Sequence, residues 1–226
     1  MEYFSYFSSE NGFGKYKTTA IDLLEKTIMM LNEFNIDYFL ISGTLLGFVR
    51  HNDFIQWDDD IDIIVDASIL NKSKLDKIIE KYSDIFYFTN QHNYLLKIFF
   101  KDKEIPIKHP YMEKLVINKN NDTKYFWPFI DLFIYKYSAD RQHLLFFNKQ
   151  WNVSSFFPKS EQYFLNLKQK VCIPHDPDYF LKNNFGPNYM NIFDSGDYSH
   201  KLEKVKDKHI ITREEYEKLL SLSYNS

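Results

Sequence analysis

The chain has 226 residues, 44% of them apolar and 19% aromatic, and a net charge of −3. It is long and apolar enough for one sizeable core and too apolar for a disordered chain, and its slightly acidic balance excludes a basic field that would hold nucleic acid. The single cysteine, Cys172, excludes an internal disulfide and a cysteine-built zinc site, and no apolar run reaches the ~18 residues of a membrane span.

Residues 1–14 are aromatic without a period and read as a loosely packed arm. Over 17–34, Ile21, Leu24, Ile28 and Leu31 recur every three to four residues, which predicts an amphipathic helix capped by Thr18 or Thr19. Residues 36–41 read as a short buried strand. Ser42, Gly43 and Thr44 then turn the chain into a short helix over 45–50, and a loop follows to residue 57. Residues 60–65 alternate acid and aliphatic, the period of a half-buried strand. Asp66 to Ser68 offer a cap for a helix running to about residue 82.

Strand-like runs follow at 85–89, 94–100, 115–117 and 129–135, the last with a lone acid, Asp131. After residue 139 the pattern turns helical and aromatic. Residues 171–174 read as extended, Pro177 opens a helix, and Gly186 with Pro187 stops it. Thr212 and Glu215 form a capping box for a last helix over 212–221. The order predicts an α/β (α+β) fold with a mixed central sheet flanked by helices. Its parts are an arm (1–14), a core (15–138) and a mainly helical, aromatic-rich region (139–226).

Residues 41–65, ISGTLLGFVRHNDFIQWDDDIDIIV, carry the chemistry. Asp60 and Asp62 are two apart on one strand, so both carboxylates share a face while Ile61 and Ile63 face the core. Two ionised carboxylates so close repel, and a hard divalent cation with oxygen ligands, Mg²⁺ or Mn²⁺, removes that cost. Asp131, on another strand, is the candidate third acid. Ser42, Gly43 and Thr44 supply hydroxyls and helix-start amides for phosphate oxygens, and Gly43 permits close approach. Arg50 and His51 can bind further phosphate charge, although His51 reads equally well as an ordinary loop histidine. Asp58 and Asp59 read as a solvated turn, and Trp57 as a packing residue.

The string SGTLLGFVRHNDFIQWDDDIDI resembles the signature of the LicD family, which includes fukutin and fukutin-related protein: SGTLLGxxRxxxFIPWDDDIDI. Gln56 stands where the family often has Pro. Later segments resemble the family in order: Leu96-Lys97-Ile98, then Phe129-Ile130-Asp131-Leu132-Phe133, then Ile173-Pro174, Tyr179-Phe180-Leu181 and Phe185-Gly186-Pro187. Phe185 replaces a usual Tyr. The resemblance covers roughly residues 20–190.

It implies a nucleotidyltransferase fold and a metal-dependent transferase that moves phosphocholine, ribitol phosphate or a similar phospho-alcohol from a CDP-linked donor to a glycan or glycoconjugate hydroxyl, releasing CMP. Asp60, Asp62 and Asp131 would hold Mg²⁺ or Mn²⁺, with Asp131 also taking the acceptor proton. Ser42, Gly43 and Thr44 would hold the diphosphate, and Arg50, His51 and Lys97 would neutralise charge. Nucleotidyl transfer onto a small-molecule or protein hydroxyl is the first alternative, and an inactive binding subunit the second. With no signal peptide or membrane span in the sequence, a cytoplasmic bacterial or virus-encoded enzyme is expected.

Overall fold

The apolar runs of the sequence line up as a mixed sheet in a computed structural model that describes residues 4–90, 94–101, 105–107, 125–202 and 204–223. Helix α1 (Lys17–Glu33) buries Leu23, Leu24, Ile28 and Leu31 and packs on the sheet through strands introduced below. Strand β1 (Tyr38–Leu40) leads into α2 (Ser42–His51), and β2 (Ile61–Asp66) into α3 (Lys72–Tyr82). Strands β3 (Phe86–Asn90) and β4 (Leu95–Phe100) pair antiparallel. A separate ribbon joins β5 (Ile105–Ile107) to β6 (Tyr125–Trp127), and β7 (Phe129–Tyr137) is the longest strand.

The sheet order is β1-β2-β7-β4-β3. The β2–β7 pair is parallel, and its other neighbours along this path pair antiparallel. Strand β7 lies between β2 and β4, with α1 packed on β7 and β4. That explains its run of bulky apolar residues, since a central strand covered by helix has little use for polar side chains. Of the expected caps, the capping box of the last helix forms as read, whereas Asp66 caps a 3-10 turn (Ala67–Leu70) and Asn71 caps α3. Asp66 accepts a hydrogen bond from Ser68 N, and Thr212 and Glu215 bond reciprocally.

The region after residue 139 departs from the expected mainly helical pattern. It comprises β8 (His143–Phe146), β9 (Lys149–Asn152), α4 (Val153–Phe156), β10 (Ser160–Gln162), β11 (Val171–Ile173), α5 (Pro177–Phe185), β12 (Ile192–Asp194), β13 (Tyr198–Ser199), β14 (Lys204–Val205), β15 (Ile210–Thr212) and α6 (Arg213–Ser223). Strands β8 and β9 extend the central sheet from the end of β7, while β10–β11, β12–β15 and β13–β14 make small antiparallel ribbons.

The reason is visible in the β8–β9 hairpin. Leu144 and Phe146 are buried while Leu145 is exposed, a period of two. Phe147 and Asn148 at the turn both have positive φ, 53° and 55°, the conformation that suits a two-residue hairpin loop. The aromatics expected on helices instead gather as a second cluster. There Trp151 lies 5.2 Å from Phe146 and 4.8 Å from Phe180, ring centre to ring centre.

The N-terminal arm is packed rather than loose. Phe7 meets Trp57 edge-on at 4.9 Å, and Phe13 contacts Phe54 at 5.0 Å and Trp127 at 5.7 Å. At Gly12 an added Cβ would stand 2.3 Å from Gln56 O, so only glycine lets the arm lie along the acidic loop. Neither Thr18 nor Thr19 caps α1, because a 3-10 turn, Gly14–Tyr16, runs straight into it. The strand expected at 115–117 lies outside the described residues. Among the described residues no helix is long and apolar enough to cross a membrane.

Candidate active site

Ser42, Gly43 and Thr44 are not a turn ahead of a helix but the first turn of α2 itself. Ser42 sits at φ +48°, a left-handed conformation unusual for a residue with a Cβ. The three act differently. Ser42 and Gly43 line a cleft of about 360 Å³. Thr44 is buried, and its Oγ1 accepts a hydrogen bond from Asp62 N at 2.9 Å, so the hydroxyl expected to meet phosphate braces α2 against β2. Thr44→Val keeps the shape but leaves that buried amide without an acceptor. It should cost about 1–3 kcal/mol of stability, read from chemical denaturation.

Gly43 is required by a neighbour. A Cβ there would lie 2.2 Å from Asp58 Oδ2. The Asp58 carboxylate therefore rests against the start of α2, where the helix dipole favours negative charge. Asp58 and Asp59, expected as a solvated turn, are both taken into the fold. Asp59 is 2% exposed. Its carboxylate accepts hydrogen bonds from Ser199 Oγ (2.9 Å), Lys201 N (2.9 Å) and His200 N (3.3 Å). Its carbonyl accepts from Trp127 Nε1 at 2.5 Å.

Parallel pairing sets Asp62 opposite Asp131, and antiparallel pairing sets Asp131 opposite Lys97. Acid, acid and lysine thus form one row across β2, β7 and β4. Lys97 Nζ is 2.6 Å from Asp131 Oδ1 and 3.6 Å above the Phe129 ring. Both members of the pair are about 95% buried. Lys97, expected to neutralise the donor, is engaged by Asp131. Asp60 stands just before β2 and lines the cleft together with Asp62.

Burial pushes the Asp62 carboxyl well above the usual range, and Asp60, Asp131 and Asp58 push the same way against Lys97. Asp58 is likewise raised, first by burial and then by Asp60 and Asp59, with Lys206 opposing. Asp131 is raised by burial, with Lys97 pulling it back.

Arg50 and His51 are placed differently from expectation. Arg50 lines the cleft, but its guanidinium donates to the carbonyls of Tyr189 (3.0 Å) and Ile192 (2.8 Å) and lies 4.3 Å from the Phe193 ring. His51 Nε2 accepts from Arg50 Nε at 2.9 Å, with the ring edge-on to Trp57 and Phe193. Burial and the adjacent Arg50 push its pKa down to about 4. A neutral, packed His51 holds Arg50 in place and carries no charge to phosphate near pH 7.

The opposite wall of the cleft comes from Phe185, at the end of α5, and from residues that the sequence did not single out, among them Tyr189, Tyr198, His200 and Lys206. His200 Nε2 is 3.3 Å from Asp60 Oδ2. Tyr189, Tyr198, His200 and Lys206 lie on or beside two-residue strands and in loops with no spacing pattern, so no sequence signal marks them.

The donor set suits a divalent cation. Asp60, Asp131 and His200 each offer a ligand atom within 4.8 Å of the others, as do Asp58, Asp59 and Asp60. Asp62 is in neither group, and His200 takes the place that the sequence gave to Asp62 beside Asp60 and Asp131. Burial first and mutual repulsion second raise Asp58 and Asp62, and the repulsion is the cost a cation would relieve.

The chain matches the family described as LicD/FKTN/FKRP, nucleotidyltransferase domain, over residues 35–176. A stretch of 50 residues is 46% identical to the uncharacterized protein RP689 of Rickettsia prowazekii, covering 22% of this chain and 19% of that one. A stretch of 44 residues is 42% identical to the lipopolysaccharide cholinephosphotransferase LicD of Haemophilus influenzae, covering 20% and 17%. These matches span less than a fifth of either relative.

A solved structure, an antigenic nucleotidyltransferase-like protein from Paracoccidioides brasiliensis, is 16% identical with a TM-score of 0.39, over 74% of this chain and 63% of that one. With the match running over most of its length, through the α2 turn, the acidic strand and Asp131, the chain belongs to the LicD/FKTN/FKRP family and carries its nucleotidyltransferase domain.

Proposed function

We propose that the protein is a cation-dependent phosphotransferase. It moves a phospho-alcohol such as phosphocholine or ribitol phosphate from a CDP-linked donor to a hydroxyl of a glycan or glycoconjugate and releases CMP. The observation that carries this reading is one cleft where the start of α2 faces half-buried carboxylates. Ser42 and Gly43 line the same cavity as Asp58, Asp60 and Asp62. The Haemophilus relative, named as a lipopolysaccharide cholinephosphotransferase, supports the donor and acceptor classes.

In this reading Asp60 and Asp131 hold Mg²⁺ or Mn²⁺, which neutralises phosphate charge as the transfer proceeds. The amides of Ser42 and Gly43 at the helix start bind phosphate oxygens. Lys206, half-buried on the facing wall, adds the positive charge expected of Arg50 and His51. The acceptor oxygen forms the new bond to the phosphorus bearing the alcohol, and the bond from that phosphorus to the bridging oxygen breaks, so CMP leaves with the bridging oxygen.

The hydroxyl proton passes to Asp62. That carboxylate lines the cleft and burial raises its affinity for protons, whereas Asp131 is held by Lys97. A carboxylate whose proton affinity is raised is the stronger base for this step.

The test is thermal stability against a nucleotide panel, with and without Mg²⁺ or Mn²⁺. CDP-choline, CDP-ribitol or CDP-glycerol at about a hundred times its Kd should add about 3 kcal/mol, a rise of roughly 5–10 °C, and only with the cation. Stabilisation by a nucleoside triphosphate, with pyrophosphate released on turnover, would replace this reading with nucleotidyl transfer. No shift with any nucleotide would leave a binding subunit.

A further inference from the structure

We propose that His200 is a nitrogen ligand of the cation in this cleft, and that Asp59 is the positioning residue that presents it. The inference rests on the cation-dependent reading above and adds to it a residue outside the family match, which ends at 176.

His200 follows β13, whose ribbon with β14 pairs only two residues of each strand. So short a ribbon has little rigidity of its own. Its position is imposed by Asp59, whose carboxylate accepts hydrogen bonds from Ser199 Oγ, His200 N and Lys201 N. Ser199 Oγ in turn accepts from Leu202 N at 3.2 Å, closing the turn on itself. The imidazole is then flanked by Phe129 at 5.8 Å and Tyr198 at 5.1 Å, both edge-on. Its Nε2 is 3.3 Å from Asp60 Oδ2, and a ring nitrogen comes within 4.8 Å of an oxygen of Asp131.

A salt bridge between His200 and Asp60 would account for one of these distances. It does not account for the convergence on Asp131, which already has Lys97 as counter-ion. Two carboxylates and one imidazole around a point are a donor set for a first-row divalent ion. An imidazole also shifts preference away from Mg²⁺, which favours oxygen, toward Mn²⁺ and later ions. The carboxylate directly before Asp60 therefore holds the turn that completes the site, as outer partners of metal ligands commonly do.

Pulsed electron paramagnetic resonance of Mn²⁺ added to the chelator-stripped protein tests this. Nitrogen modulation on the Mn²⁺ signal is expected in the parent chain and lost in His200→Gln. In Asp59→Asn it should be weakened, with Mn²⁺ affinity down about tenfold or more. The Mn²⁺ over Mg²⁺ preference, from competition binding, should fall by a similar factor in His200→Gln. The parent spectrum needs no variant to fold. Bound Mn²⁺ without nitrogen modulation, or modulation that persists in His200→Gln, would overturn the assignment while leaving the acids as the cation site. Failure of Mn²⁺ to bind, with or without CDP-choline, would overturn the cation-dependent reading as well.

Discussion

Asp62→Asn is expected to lower phospho-transfer by about 10²–10³-fold while the variant folds as well as the parent, or better. The two halves of that result have one cause. Asp62 lines the cleft and its carboxyl is raised well above its ordinary 3.8, first by burial and then by Asp60, Asp131 and Asp58. In the unfolded chain it ionises near 3.8. Between 3.8 and the raised value the folded chain binds the extra proton. The stability contributed by Asp62 is therefore complete below 3.8 and lost as pH rises through the folded value.

An amide of the same shape keeps the packing and carries no charge to repel its neighbours. In the presence of a chelator the melting temperature of the parent should fall more steeply than that of Asp62→Asn as pH rises from 5 to 8. A bound divalent cation should flatten the parent's curve. Thermal melts across that range report Asp62 together with its electrostatic coupling to the neighbouring carboxyls, because the amide removes its charge from all of them. Parental turnover in the variant would remove Asp62 from the chemistry, and a collapsed fold with a steeper pH profile would reverse the sign assigned to its burial.

Gly43→Ala and Gly47→Ala should separate site from scaffold on the same helix. At Gly43 the new Cβ meets a side chain, Asp58 Oδ2 at 2.2 Å and Cγ at 3.2 Å. The carboxylate must leave its place against the start of α2. Turnover and nucleotide affinity should fall by at least about tenfold, with a smaller change in stability than at Gly47, because a side chain moves more cheaply than backbone.

At Gly47 the new Cβ meets backbone, with Asp53 O at 2.6 Å and Ile55 N at 3.0 Å. The loop from α2 to the acids then has to shift as a whole. A cost of about 1–3 kcal/mol is expected, seen as a fall of roughly 3–10 °C in melting temperature. Equal losses of activity per unit of stability in the two variants would show that Gly43 serves packing alone.

Much of the site's near wall was legible because it is local. Ser42, Gly43, Asp60 and Asp62 lie within 21 residues of one another and do line one cleft. Asp131 was legible as the single acid in an apolar run, and the sheet places it beside Asp62. What the sequence did not show was the partner that the fold supplies within the protein to several of these side chains. Thr44 looks like a phosphate hydroxyl but meets a backbone amide of β2. Arg50 looks like a phosphate arm but meets two carbonyls. Lys97 looks like a donor contact but meets Asp131. Thr44 and Lys97 are buried and Arg50 is half-buried, and a polar group taken out of water needs a partner within the protein because leaving it unpaired is costly.

The sequence by itself determined the central sheet, the helix that follows β1, the acidic strand and the family, since each rests on periodicity or a short contiguous motif. Tertiary structure decided the rest. It turned the expected helical region into hairpins, because a two-residue period over four residues is too brief to read among clustered aromatics. It also brought His200 and Lys206 across from the C-terminal ribbons to face the acids. That approach depends on hydrogen bonds from Asp59 to Ser199, His200 and Lys201, some 140 residues apart in sequence. No local pattern encodes such a partner, because a buried carboxylate specifies that donors must come, not which segment brings them.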